Sequence, residues 1–203
     1  TEHFAGATFP GLFAMISRVY MHEYGITSDQ LASVSIKNHS NASLNPLAQF
    51  NKKITLDDYL KSQIVSDPLR LLDCAPITDG AASIIIADYD YSRTLVNSGV
   101  NIIASALATD TLDFANREKF TSFKATKLAG KKAFEMSGIS PCDINVAEVH
   151  DAFSMSEIIA LEDLEFFKVG TACFSTQQGV TQINGSLPVN TSGGLKAKGH
   201  PVG

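Results

Sequence analysis

Cysteine is scarce in this chain of 203 residues, with only Cys74, Cys142 and Cys173. Three thiols, odd in number and far apart, do not make a disulfide framework. Reduced thiols in a cytosolic compartment are the simplest reading. The spacings Cys-x-x-Cys and His-x-x-x-His are missing, so no metal-ligand pattern is present and no metal is expected. Basic residues are outnumbered, 16 Lys and Arg against 21 Asp and Glu, giving a net charge of −5 and a pI near 5.5. Nucleic acid is thereby a poor partner, because backbone binding needs clustered cations; a local patch for an anionic small ligand is not excluded. No apolar run approaches the ~20 residues of a membrane span. Thr1-Glu2-His3 opens without the basic and apolar regions of a signal peptide, and the first residue is not Met, which suggests a trimmed chain. There is no short-period repeat and no low-complexity tract.

Hydrophobic residues make up 44% of the chain and charged residues 18%, enough for a sizeable core in one large domain or parts of two. The periodicity predicts a helix over Pro10 to Glu23, with Leu12, Met15, Ile16 and Val19 on one face and Gly25 just beyond its end. Thr27-Ser28-Asp29-Gln30 fits a capping box opening a second helix. Lys37 to Pro46 is polar and reads as a surface loop, with His39 solvated in it. Thr55 caps a short helix through Leu60. Ala81 to Ala87 and Asn101 to Ala108 are apolar and rich in isoleucine, as in strands buried on both faces. The residues between them, through Ser98-Gly99, read as a linker between two halves. A helix to Met136 stopped by Gly138, a strand from Ile144 to Val149, and a helix from Ser154 to Phe167 follow. Gly170 to Gly185 is loop-like. The order is α/β, and in such folds ligands bind beyond the carboxyl ends of strands, where His150 stands. A structural histidine hydrogen-bonded at a strand end is the alternative reading.

Asn190 to Gly203 concentrates the glycines. Gly193-Gly194 followed by Gly199-His200-Pro201 reads as two tight loops with one imidazole between them; a flexible tail is the bland alternative. Histidine is the side chain suited to moving a proton near neutral pH.

Leu187-Pro188-Val189-Asn190-Thr191-Ser192-Gly193-Gly194, with Gly199-His200-Pro201-Val202-Gly203, resembles the glycine loop and Gly-His-Pro motif of thiolases. His150-Asp151-Ala152-Phe153 resembles the His-Asp-Cys-Phe element of the sterol-carrier-protein-type members, with Ala152 in place of the cysteine. Tyr20 to Gly25, Lys37-Asn38-His39 and Asp79-Gly80-Ala81-Ala82 also match that pattern, in family order. The resemblance implies a layered αβαβα fold of two βαβαβαββ halves, only partly covered: residues 1–98 would end the first half, including its loop domain, and residues 99–203 would form most of the second.

It also implies Claisen chemistry on acyl-CoA, with a cysteine thiolate taking the acyl group and a second thiol moving the α-proton. Both family cysteines would lie outside these 203 residues. By the same resemblance His200 activates the nucleophile and donates to the thioester oxygen, while His150 helps complete the oxyanion site. Asn190, Gly193 and Gly194 shape the pocket floor, and Ala152 and Phe153 line the acyl or pantetheine channel. Cys74, Cys142 and Cys173 read as small apolar residues and not as nucleophiles. Coenzyme A is expected as a substrate, with no covalently bound cofactor. The expected assembly is a cytoplasmic homodimer or homotetramer. Two other readings stay open: a thiolase-fold acyl-CoA aldolase working with a small OB-fold partner, and a non-catalytic subunit of an acyl-CoA enzyme complex.

Overall fold

The computed structural model describes residues 2–95 and 99–202. The expected boundary between two halves, at Ser98, and the final Gly203 of the Gly-His-Pro motif lie outside the described residues.

Helix α1 (Phe9–Tyr24) opens with Thr8, whose hydroxyl accepts from the Gly11 amide, and ends at Gly25. It buries Ala14, Ile16 and Tyr20. Helix α2 (Ser28–Ala42) carries the full capping box, Thr27 and Gln30 each accepting from the other's backbone. Helix α3 (Leu56–Lys61) is capped in the same way by Thr55 and Asp58. A short antiparallel pair follows, β1 (Ile64–Ser66) with β2 (Leu69–Arg70). Helices α4 (Tyr89–Leu95), α5 (Lys124–Ser137), α6 (Ser154–Asp163), α7 (Ala172–Gln177) and α8 (Gly194–Lys198) complete the order.

The core gathers around α6, every residue of which is buried. Met155, Ile158, Ile159 and Leu161 pack there with Ile16, Tyr20, Leu31 and Val34 from α1 and α2. A helix buried on all faces must satisfy its polar side chains inside the protein. Accordingly Glu162 accepts from the Tyr20 hydroxyl at 2.5 Å and from the Ala172 amide at 3.0 Å, and Asp163 accepts from Ser122 and the Phe123 amide.

The structure corrects three expectations. The stretch from Lys37 to Ala42 is helical, not a loop, and His39 is buried with 5% exposure. These polar residues point inward, where buried carboxylates and carbonyls receive them, and so the α2 period continues through a stretch whose composition suggests solvent. The two isoleucine-rich runs form no strand: Ile84, Ile85 and Ile86 are 80%, 98% and 70% exposed, and Ile102 and Ile103 are 64% and 59% exposed. A strand buried on both faces needs neighbours along both edges, and no described residues pair with either run. Within the expected loop from 170 to 185 lies α7, which buries Ala172 and Cys173.

Burial holds the His39 imidazole below its ordinary value, and the Lys196 ammonium adds to this. A histidine whose folded-state value is depressed stabilises the fold above its unfolded value, near 6.5, and destabilises it as the pH falls below that. Replacing His39 with glutamine in the full-length protein is therefore expected to reduce the loss of Tm between pH 7.5 and pH 5.5. Equal losses in both proteins would show that His39 does not contribute.

Candidate functional site

Three stretches of chain converge to place the two motif histidines. The segment leading to His150 lies parallel to the segment before the glycine loop, through the bridge Ala147–Val189. Its bonds run from the Ala147 amide to the Pro188 carbonyl at 3.0 Å and from the Asn190 amide to the Ala147 carbonyl at 2.9 Å. A parallel bridge joins Ile77 to His200, and the His200 amide donates to the Thr78 hydroxyl at 3.2 Å. The Ala75 amide donates to the Ala152 carbonyl at 2.9 Å, which ties the 75–78 segment to the other motif.

The consequence is that His150 and His200 meet edge to face, their ring centroids 5.1 Å apart and their planes at 83°. His150 is exposed and His200 is half-buried. Partial desolvation, and then the neighbouring His200 ring, hold the His150 imidazole below its ordinary value, so it is neutral at physiological pH. The Nδ1 of His200 is buried with no hydrogen-bond partner among the described residues. A neutral imidazole offers one donor and one acceptor nitrogen, so the pair can take up a proton, give one, or donate to a developing negative oxygen.

Asn190 holds the glycine loop from beneath. It is fully buried with φ 52°, a left-handed conformation that asparagine tolerates better than most residues. Its side-chain oxygen accepts from the Val149 amide at 2.8 Å and its nitrogen donates to Glu157 at 2.8 Å. Glu148 clamps the next turn, accepting from the Ser192 amide, the Ser192 hydroxyl and the Thr191 hydroxyl. Gly193 (φ 105°) and Gly194 (φ 61°) have no room for a side chain: a Cβ would stand 2.6 Å from that of Ala42 and 2.2 Å from Oδ2 of Asp151, respectively. Phe153 is 7% exposed and stacks on Phe13 at 4.4 Å in the core, and Ala152 is half-buried beside the same cluster. The structure thus brings His150 and His200 together, sets Asn190, Gly193 and Gly194 in the scaffold behind them, and packs Phe153 inward.

Beneath the pair lies a buried polar network that the motif reading did not foresee. Lys37 meets Glu157 at 3.0 Å, both side chains almost fully buried. Asn38 donates to Asp151 at 2.7 Å and to Glu157 at 2.8 Å. Lys196 is 1% exposed and donates to the Asp73 carbonyl at 2.5 Å. Burial lowers the affinity of Lys196 for its proton, while Asp73 and Asp151 raise it. Burial, and then Glu157, push Asp151 up to about 6.

Neither Cys74 nor Cys173 is poised as a thiolate. Cys173 is fully buried and pushed up to about 12 by desolvation first, then by Glu162. Burial also raises Cys74, which donates to the Arg70 carbonyl. Cys142 is exposed and hydrogen-bonded to Ser140. Among the described residues no group of three His, Cys, Asp or Glu could hold a metal ion, and no helix is long and apolar enough to cross a membrane.

Residues 106–203, which contain both histidines and the glycine loop, match the family described as thiolase C-terminal domain-like. That segment is thiolase-like. The acetyl-CoA acetyltransferase of Methanothermobacter thermautotrophicus is 48% identical over 198 residues, covering 98% of this chain and 52% of that protein. Sterol carrier protein 2 of Gallus gallus is 38% identical, covering 96% of the chain and 36% of that protein. Among solved structures, the Ltp2–ChsH2(DUF35) aldolase superposes with a TM-score of 0.84 at 29% identity, over 95% of this chain and 52% of that one. The fold is accordingly a partial α/β thiolase fold. The chain spans about half or less of the length of these relatives.

Proposed function

We propose that this chain supplies the imidazole half of an acyl-CoA acyltransferase site, in which a 3-ketoacyl-CoA is cleaved by coenzyme A or acetyl-CoA units are joined by the reverse Claisen reaction. The observation that carries the reading is the edge-to-face meeting of His150 and His200 at 5.1 Å, brought about by segments fifty residues apart in sequence. His200 takes the proton of a cysteine thiol contributed from outside these 203 residues and donates to the thioester oxygen. His150, neutral at pH 7, helps complete the oxyanion site through a water. Asn190, Gly193 and Gly194 hold the floor, and Ala152 and Phe153 stand behind the channel wall. Residues 1–98 and 99–203 belong to the two halves of the fold, and the intact protein is a homodimer or homotetramer.

A second reading is favoured by one observation, the 0.84 superposition on an aldolase that is paired with a DUF35 protein. In that case the same imidazoles serve carbon–carbon cleavage of a 3-hydroxyacyl-CoA side chain, and a small OB-fold partner completes the enzyme.

Assaying the full-length protein for both reactions separates the two. Coenzyme A-dependent cleavage of acetoacetyl-CoA is the expected result. Cleavage of a 3-hydroxyacyl-CoA to an aldehyde or ketone without added coenzyme A would move the assignment to the aldolase. The absence of both activities, with substrate binding retained, would leave a non-catalytic subunit.

A further inference from the structure

We propose that Asp151 is a positioning residue for the imidazole pair, its carboxylate fixing the start of α8, and through it His200, against the segment that carries His150. The inference rests on the acyl-transfer reading for its kinetic arm but not for its structural one.

Asp151 follows His150 directly and is fully buried. Its Oδ1 accepts from the Leu195 amide at 2.6 Å, and Oδ2 accepts from the Lys196 amide at 3.4 Å and from the Asn38 side chain at 2.7 Å. The carboxylate therefore joins three elements: α2, the first turn of α8, and the segment of His150. Free amides at the start of a helix favour an anion. Gly194 permits the approach, because any Cβ there would collide with the same carboxylate. From Leu195 to His200 the chain is only one short helix and Gly199, so a shift at the Asp151 joint is delivered to the His200 ring with little length in which to dissipate. The other charged groups facing the carboxylate are Glu157 on α6, Lys196 on α8 and Lys37 on α2. None of them bonds the amides of Leu195 and Lys196, so none can replace it in this role.

The test is Asp151→Asn in the full-length protein. Asparagine keeps one acceptor for Leu195 but turns an NH2 group toward two donors, the Lys196 amide and the Asn38 side chain. A displacement of about 1 Å can cost about 10²-fold in rate. The expected result is a kcat reduced tenfold to a hundredfold with KM for coenzyme A held within about twofold. Carbethoxylation mapped by mass spectrometry supplies a readout apart from activity. His200 is expected to label several-fold faster, exposed His22 unchanged, and buried His39 still protected.

Wild-type kcat and wild-type labelling of His200 would overturn the proposal. If His39 also becomes reactive, the variant has lost its fold and Gly194→Ala decides: it keeps the charge but crowds the carboxylate, and is expected to give the same kinetic and labelling signature. Wild-type behaviour of that variant would also overturn the proposal. His200→Ala is the companion control. If it retains turnover, the acyl-transfer reading fails, and the labelling still judges Asp151.

Discussion

Replacing His200 with alanine in the full-length protein is expected to lower turnover of acetoacetyl-CoA by about 10³-fold, with Tm nearly unchanged. The magnitude follows from two roles assigned to one ring. Loss of a positioned general base or acid costs about 10²–10⁴-fold. Loss of one donor to a developing oxyanion costs about 10²–10³-fold. Because both roles belong to one group, the two losses are not independent and do not multiply, so a loss within the range of either role alone is expected. Stability is spared because His200 is held by its backbone, through the Thr78 hydroxyl and the bridge to Ile77, and its Nδ1 has no partner among the described residues to lose. His150→Ala should cost less, since a water can take its place beside an exposed ring. Turnover within tenfold of wild type for His200→Ala, measured at saturating substrate on folded protein, would remove the ring from the chemistry.

How much of this was legible in the sequence depended on the range of the interactions involved. The capped starts of α2 and α3 were local, each set by a hydroxyl and the amide three residues on, and the residues alone located them. The motif histidines were also visible. Their meeting was not, since 50 positions separate them and long-range contacts such as the Ala147–Val189 and Ile77–His200 bridges close the gap. The isoleucine-rich runs at 84–86 and 102–103 read as buried strands and are neither paired nor buried, since an apolar run says nothing about where its partners lie. Lys37 to Ala42 failed for the opposite reason. Hydrophilic side chains usually mean water, yet these face Glu157, Val189 and Asp151 inside the protein, and a pairing across more than 100 residues leaves no local trace.

That inward-facing set carries the largest stability effect expected here. Lys37 is 3% exposed, its ammonium 3.0 Å from Glu157 and bonded to the Asn38 side chain and the Val189 carbonyl. Lys37→Met keeps the length and much of the volume but leaves the Glu157 carboxylate buried without its cation. Removing one member of a buried ion pair costs about 3–5 kcal/mol, most of it the penalty of the charge left behind. At about 2–4 °C per kcal/mol for a domain of this size, Tm should fall by about 10 °C. The decisive comparison is the double variant Lys37→Met with Glu157→Gln. A glutamine oxygen still accepts from Asn38 and Asn190, which both donate to Glu157 at 2.8 Å, and carries no charge that needs a partner. The double variant should therefore be more stable than Lys37→Met alone, recovering half or more of the lost Tm. If the second substitution instead adds its own full cost, the two side chains are not coupled, and the loss belongs to packing around the methionine. Because Asn190 links Glu157 to the Val149 amide, the single variant should also slow turnover, whereas the double variant, with that link kept, should recover activity along with its Tm.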